Sequence, residues 1–283
     1  MLSQKTIENE IFFSGRGLQT GSIVKAVCKP QGAGSGITFK RVDIKGAPCL
    51  CLGDALFPET RSPQRRTTIG AEDVGVQTVE HFLAALWALQ IDNILVEMDG
   101  GELPALDGSA EGFLKRLKET PLKEFSEAQQ VIRVLEPERV EENGDSLSVF
   151  PHEGLNISYL IDYKSKAIGR ETFKIELTSD SFEKEIAPAR TFCLKREVET
   201  LLRLGLGQGA DLKNTLVIDD DGPIGTNLRF PNEPVRHKVL DLVGDLYVLG
   251  RPFLGRFSAE KSGHKLNARM VKVLYEKYVK KIK

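Results

Sequence analysis

The sequence predicts an α+β protein made of two similar units, each a set of strands followed by a helix, a further strand and a second helix. Three observations carry this expectation. Stretches with strand-like alternation, broken by glycine-rich turns, open both halves of the chain. Each half then carries an apolar pattern of helical period, TVEHFLAALWAL in the first and EPVRHKVLDLVGDLYVLG in the second. Between them lies PLKEFSEAQQ, residues 121–130, which is polar and weakly periodic and reads as a linker. The expected division is therefore 1–120, a linker at 121–130, and 131–283. At 283 residues the chain is long enough for two domains that each bury a core.

In the first half, IENEIFFSG, SIVKAVCKP and GITFKRVD are the expected strands. Thr78 stands where an N-cap would open the helix, and Val79, Phe82, Leu83 and Leu86 share one face of it. NILVEMD is a further strand. DGSAEGFLKRLKE is a capped helix with Phe113, Leu114 and Leu117 inward and Lys115, Arg116 and Lys118 outward. In the second half, QVIRVLE and DSLSVF read as hairpin strands around Asn143–Gly144, a strong turn dipeptide. LNISYLID and ETFKIEL are strands, 196–206 a helix, LVID a short strand, and EPVRHKVLDLVGDLYVLG a long amphipathic helix. GRFSAE leads into a last helix from about Asn267.

Hydrophobic residues at 41% and charged residues at 28% describe a globular chain rather than a disordered one. Lys and Arg total 39 against 40 Asp and Glu, a net of -1, which argues against a general nucleic-acid binder while leaving room for a local basic pocket. The N-terminal MLSQKTIENEIFF is interrupted by charge where a signal peptide needs an apolar run, and no window reaches the ~18 apolar residues of a membrane span. The expectation is a soluble, cytoplasmic protein. Four cysteines, Cys28, Cys49, Cys51 and Cys193, are too few and too irregular for a disulfide framework. Cys49 and Cys51 read as strand alternation rather than as half of a metal site, since no second pair or nearby histidine completes one.

Of the four histidines, three sit in polar clusters. His237 and Asp241 are four apart on the long helix, which places an imidazole and a carboxylate on one face, and Asp245 extends the stripe by another turn. Such a pair can grip one cation if a third ligand arrives from elsewhere; a solvated face with Lys238 paired to an acid is the plainer alternative. Glu80 and His81 are adjacent and so diverge by about 100° on a helix, letting one bind a metal while the other leans over its open face. That is the division of labour in zinc hydrolases, where three protein ligands leave a position for water and a non-ligating carboxylate takes its proton. An acid answering the first-turn dipole explains Glu80 equally well in isolation. His264, in KSGH between a strand and a helix, either reaches into a cleft as an acid or is a surface loop residue. His152, in a turn, reads as structural.

Taken together, TVEH (78–81), LDGSA (106–110), ARTF (189–192), RHK (236–238) with Asp241, Gly244, Asp245 and Leu246, and SGH (262–264) with Leu266 and Asn267 resemble the UDP-3-O-acyl-N-acetylglucosamine deacetylase family, from about residue 4 to the C-terminus. Members are zinc enzymes that commit Gram-negative bacteria to lipid A synthesis. The resemblance implies two α+β layers with helices packed between two sheets. It also implies Zn2+ held by His81, His237 and Asp241, with Glu80 as general base. His264 matches the group that protonates the leaving amine or steadies the oxyanion, oriented by Asp245, while Thr191 and Lys238 match groups near the developing oxyanion. For the substrate, UDP-3-O-acyl-N-acetylglucosamine, Lys261 matches a position facing the diphosphate and Tyr163 an aromatic that stacks on uracil. Phe192 and residues 196–210 would border the acyl passage. A monomer with no nucleic-acid partner is expected.

Two features depart from the family pattern. Gln19 stands in GRGLQTG (15–21) where similar enzymes carry histidine, and the segment LCLGDALFPETRSPQRRTTIG is longer and more basic than usual. Two other readings remain open on sequence alone, a non-catalytic nucleotide-lipid binder of the same fold and a zinc amidohydrolase of a different N-acetyl sugar.

Overall fold

The computed structural model of the chain describes residues 2–53, 65–71 and 73–280. Most of the long basic segment noted above, 54–64, lies outside the described residues. In chain order the first half runs β1 (Ser3–Ile7), β2 (Ile11–Arg16), β3 (Ile23–Pro30), β4 (Ile37–Arg41), β5 (Cys49–Cys51), β6 (Thr68–Ile69), β7 (Val76–Gln77), α1 (Glu80–Leu89), β8 (Ile94–Met98) and α2 (Glu111–Leu117). After β9 (Leu122–Ala128) come β10 (Ile132–Arg133), β11 (Glu138–Glu142), β12 (Asp145–Phe150), β13 (Leu155–Asp162), β14 (Arg170–Glu176), α3 (Ser179–Glu185), β15 (Phe192–Leu194), α4 (Val198–Arg203), β16 (Leu216–Asp219) and β17 (Gly222–Pro223). The chain closes with α5 (Glu233–Leu246), β18 (Phe253–Glu260) and α6 (His264–Leu274).

The expected similarity of the two halves holds at the level of topology. One sheet has the order β2-β3-β8-β4-β5 and the other β11-β12-β18-β13-β14, with β10 added beside β18. Number the five strands of each sheet in chain order, and both read first, second, fifth, third, fourth. The pairing senses also match: in each sheet the fifth strand is parallel to the third (β8 to β4, β18 to β13) and every other pair is antiparallel. In both units a helix precedes the fifth strand and another follows it, so α1 corresponds to α5 and α2 to α6.

Helices fill the space between the sheets. Phe82 of α1 packs edge-on against Phe13 of β2, Phe39 of β4 and Phe113 of α2, closing α1 onto the first sheet. α5 packs on β13 and β14, α6 on β11 and β12, and α1 meets α5 face to face. Consequently α5, amphipathic by sequence, is buried on nearly every side, with only Arg236 and Lys238 partly exposed. An apolar stripe that meets a sheet below and a second helix above leaves little of the helix for water.

The crossing of α1 and α5 is the contact that matters for function. A Cβ at Gly244 would lie 1.9 Å from the carbonyl oxygen of Glu80, so only glycine lets the start of α1 approach this closely. Gly244→Ala is expected to lower the melting temperature despite alanine's advantage of about 1 kcal/mol in helix propensity, because overpacking here costs more than that. A raised melting temperature in this variant would show that the two helices have room to spare.

Several local expectations are corrected. Residues 121–130, expected as a linker, carry a strand: β9 pairs antiparallel with β1, Ser3 opposite Ala128 and Ile7 opposite Leu122. IENEIFFSG is not one strand but the end of β1, a turn and β2. The Asn143–Gly144 hairpin joins β11, not QVIRVLE, to β12; Asn143 and Gly144 both have positive φ, as a type I′ turn requires, and Ile132–Arg133 instead runs parallel to β18. Thr78 does not cap α1; its φ is 56°, its hydroxyl donates to Glu102, and Val79 is the cap residue. The last helix begins at His264, three residues before Asn267. Residues 196–206 hold the short α4 after a 3-10 turn at Lys195–Glu197. Cys49 and Cys51 flank a buried Leu50 on β5, the alternation expected of a strand.

Candidate active site

The first turn of α1 and the middle of α5 face each other across the Gly244 crossing. This brings His81, His237 and Asp241 together, with one ligating atom from each within 4.8 Å of the others. Nε2 of His237 lies 3.3 Å and Nε2 of His81 3.7 Å from Oδ1 of Asp241, and the two rings meet edge-on with centroids 5.0 Å apart. All three residues are buried, so the solvated-face alternative for α5 fails. Nδ1 of His237 donates to the carbonyl of Ala189 at 3.0 Å, which leaves the Nε2 lone pair directed at Asp241.

The electrostatics suit a cation. Burial pushes the His237 imidazole down to about 3, so it is neutral and free to donate a lone pair. Burial also opposes ionisation of Asp241, but the neighbouring cations Lys238 and His264 outweigh it and hold the carboxyl well below the usual range. Nζ of Lys238 donates to Oδ2 of Asp241 at 2.7 Å, leaving Oδ1 for the histidine side. Lys238 is itself raised: its burial works against charge and Asp241 restores it.

Around this group sit two acid–base elements. The Glu80 carboxyl is buried and raised above the ordinary carboxylate range by desolvation, an effect partly offset by His264 and His81, and its Oε2 accepts the backbone N–H of Thr67 at 3.0 Å. Nδ1 of His264 is 2.8 Å from Oδ2 of Asp245, with Nε2 turned towards Asp241 Oδ2 at 3.8 Å. Burial alone would lower the His264 pKa, but Asp245, Asp241 and Glu80 reverse this and lift it to about 9. Asp245 is fixed from behind by Asn267 Nδ2 at 2.8 Å and by the Thr67 hydroxyl. Asn267 is held in turn by Ser262, whose carbonyl accepts the Tyr159 hydroxyl.

These residues open on a cavity of about 360 Å³ lined by Glu80, His81, Tyr163, Thr191, Phe192, His237, Lys238, Asp241 and His264, so all but two of the sequence-derived site residues meet there. Asp245 stands behind His264. Lys261 lies away from the cavity wall, exposed and paired with Asp145 at 2.9 Å, while Lys265 lines it instead. The Tyr163 and Phe192 rings meet edge-on at 5.6 Å. The wall also includes the apolar Leu18, Leu201 and Ala210, and it carries the Arg65–Glu197 ion pair at 3.0 Å. Gln19 is part of this wall: its side-chain oxygen accepts the Gly207 N–H and its own N–H donates to buried Glu102. His152 is exposed and closes a local turn by accepting from Gly154 N. Sequence reasoning left Thr67 without a role; its only signal was the Thr67–Thr68 pair.

Fold and site define the class: an α+β protein with a buried two-histidine, one-carboxylate group fit to hold a metal, flanked by a carboxylate and an imidazole on a ligand-sized cleft. A family profile described as UDP-3-O-acyl N-acetylglycosamine deacetylase matches residues 4–276, and the chain belongs to that family. It is 40% identical over 276 residues to the UDP-3-O-acyl-N-acetylglucosamine deacetylase of Nitratidesulfovibrio vulgaris, covering 97% of this chain and 88% of that one. It is likewise 40% identical over 274 residues to the proteins of the same name from Brucella melitensis and Brucella ovis, covering 96% of this chain and 94% of each relative. Among the described residues no helix is long and apolar enough to cross a membrane.

Proposed function

We propose that this protein is a zinc-dependent hydrolase that removes the N-acetyl group of UDP-3-O-acyl-N-acetylglucosamine, releasing acetate and the free amine, the committed step of lipid A synthesis in a Gram-negative cytoplasm. The observation that carries the reading is the convergence of His81, His237 and Asp241 with Glu80 and the His264–Asp245 pair on one buried cleft. Neutral imidazole at His237 and an ionised Asp241 are the donor set a zinc ion takes in catalytic sites. When bound, a zinc ion there supplies Lewis acidity that acidifies a water and polarises an amide carbonyl.

The chain's own residues divide the rest. Glu80, anchored by Thr67 N–H, accepts the proton of the attacking water. His264, charged and oriented by Asp245, delivers a proton to the departing nitrogen. Thr191 and Lys238 face the position where the oxyanion develops. Tyr163 offers a ring to uracil, Lys265 on the cavity wall offers charge to the diphosphate in place of the outlying Lys261, and Phe192 with Leu18, Leu201 and Ala210 shelters the acyl chain. We take the protein as a monomer of two domains, 1–120 and 131–283, joined by 121–130.

The test combines metal analysis with mass spectrometry of the purified protein incubated with UDP-3-O-acyl-N-acetylglucosamine. Loss of the acetyl group and about one zinc ion per chain are expected. His237→Ala should lose the metal; full zinc occupancy in that variant would sink the ligand assignment. An intact substrate, with acetate released from another N-acetyl sugar, would move the protein to a different amidohydrolase specificity.

A further inference from the structure

The metal-facing stretch before β15 is pinned residue by residue. Arg229 Nη1 holds the carbonyl of Pro188 at 2.8 Å, the carbonyl of Ala189 takes His237 Nδ1, and Thr191 N–H donates to Gly108 at 2.8 Å. Between them Arg190 enters the protein as a buried charge, and its partner is Glu233, which is 0% exposed. Glu233 accepts from the Arg190 backbone N–H and Nε, each at 2.9 Å, from Nη2 at 3.2 Å and from the backbone N–H of Arg229 at 2.7 Å. The remaining Arg190 donors reach Thr226 and the carbonyl of Asn227. Both charges are paired, and every guanidinium nitrogen of Arg190 makes a hydrogen bond, the condition under which a buried ion pair is tolerated.

Position gives the pair its meaning. Glu233 is in the first turn of α5, where the helix dipole favours a carboxylate, and stands four residues before His237 on the same face. Arg190 stands between the residue that orients His237 and Thr191. The same helix face is thus tied twice to the same loop before β15, once through charge and once through the imidazole. We propose that Arg190 and Glu233 are positioning residues for the metal centre: they fix the Ala189 carbonyl relative to α5 and so set the tautomer and aim of His237. This rests on the zinc reading above and extends it to a layer of residues outside the ligands. Groups that hold a ligand histidine commonly change metal affinity by about 10- to 100-fold when removed.

The experiment separates aim from mere stability. Glu233→Gln keeps an acceptor but leaves the Arg190 charge unpaired, whereas the double variant Arg190→Met with Glu233→Met removes both charges, an exchange that is often neutral for stability. Zinc dissociation constants are measured by chelator competition, well below the melting temperature of each zinc-free protein. Affinity should fall by about 10-fold or more in both variants, even where the double variant melts like the wild type. Affinity within about twofold of wild type in either variant, or affinity that recovers together with melting temperature in the double variant, overturns the proposal. Glu233→Asp, which retains the charge but shortens the reach, is read in place of any variant that does not fold and is held to the same expectation. A wild-type protein that binds no zinc would instead reject the metal reading itself.

Discussion

Replacing Glu80 with alanine is expected to leave the metal in place and to cut turnover by about 100- to 10,000-fold, the usual cost of removing a general base. The barrier rises by about 3 to 5 kcal/mol. The metal stays because the proposed ligands are His81, His237 and Asp241, the group that could hold a metal ion, and Glu80 is not among them. Turnover falls because, among the described residues, no other carboxylate lining the cavity is free of a role at the proposed metal site or in the Arg65 ion pair. Glu80→Gln is the finer variant, since its amide oxygen still accepts Thr67 N–H while losing basicity. A base must be ionised, so activity should climb as pH rises through the Glu80 value. Burial raises that value above an ordinary glutamate's, and a bound cation pulls it back down. The check is steady-state kinetics beside metal analysis. Wild-type kcat in Glu80→Gln would mean that another group takes the proton, with His264 the first to examine.

Residues whose partners are near in sequence were readable in advance; residues whose partners come from tertiary packing were not. The i, i+4 spacing of His237 and Asp241 on a helical apolar pattern allowed a two-point grip beside the plainer solvated face, and both side chains share one helix face as that spacing requires. The direction in which α5 would turn this face was not readable, because its burial depends on α1 arriving over Gly244. Thr67 illustrates the limit, since its hydroxyl reaches Asp245, 178 residues away in sequence. The Thr78 cap failed for a related reason: buried Glu102 claimed the hydroxyl that a free helix would have used. The hairpin slipped because QVIRVLE and ERVEE both have strand character, and the choice between them was made by β18, which took Ile132 and Arg133 as a parallel neighbour. The pairing of Arg190 with Glu233, 43 residues apart in sequence, is likewise made only by the fold, which buries the two charges against each other.

The largest effect on pH behaviour is expected at His264. If it acts as proposed, delivering a proton to the departing amine, it must be charged when the reaction begins, and activity should fall as pH rises through its pKa. In the metal-free site that value is lifted to about 9, because Asp245, Asp241 and Glu80 together outweigh the burial that disfavours charge. A zinc ion beside Asp241 repels the imidazolium and moves the alkaline limb to or below that value. Removing the orienting carboxylate in Asp245→Ala should move the limb further towards low pH, since the imidazolium loses a partner 2.8 Å away. His264→Ala should keep zinc, lower kcat by about 100-fold or more and flatten the alkaline limb. The acidic limb, which belongs to Glu80, should survive in that variant, although both limbs are macroscopic properties of a coupled site rather than private constants. An alternative in which Glu80 carries the proton both ways, with His264 serving only as a fixed positive charge, predicts a different pattern. There His264→Lys would retain substantial turnover and His264→Gln would not. Measured pH profiles of the three His264 variants, beside Asp245→Ala, decide between the two: an unchanged rate and profile in His264→Ala would reject both roles, while the metal site built by His81, His237 and Asp241 would stand.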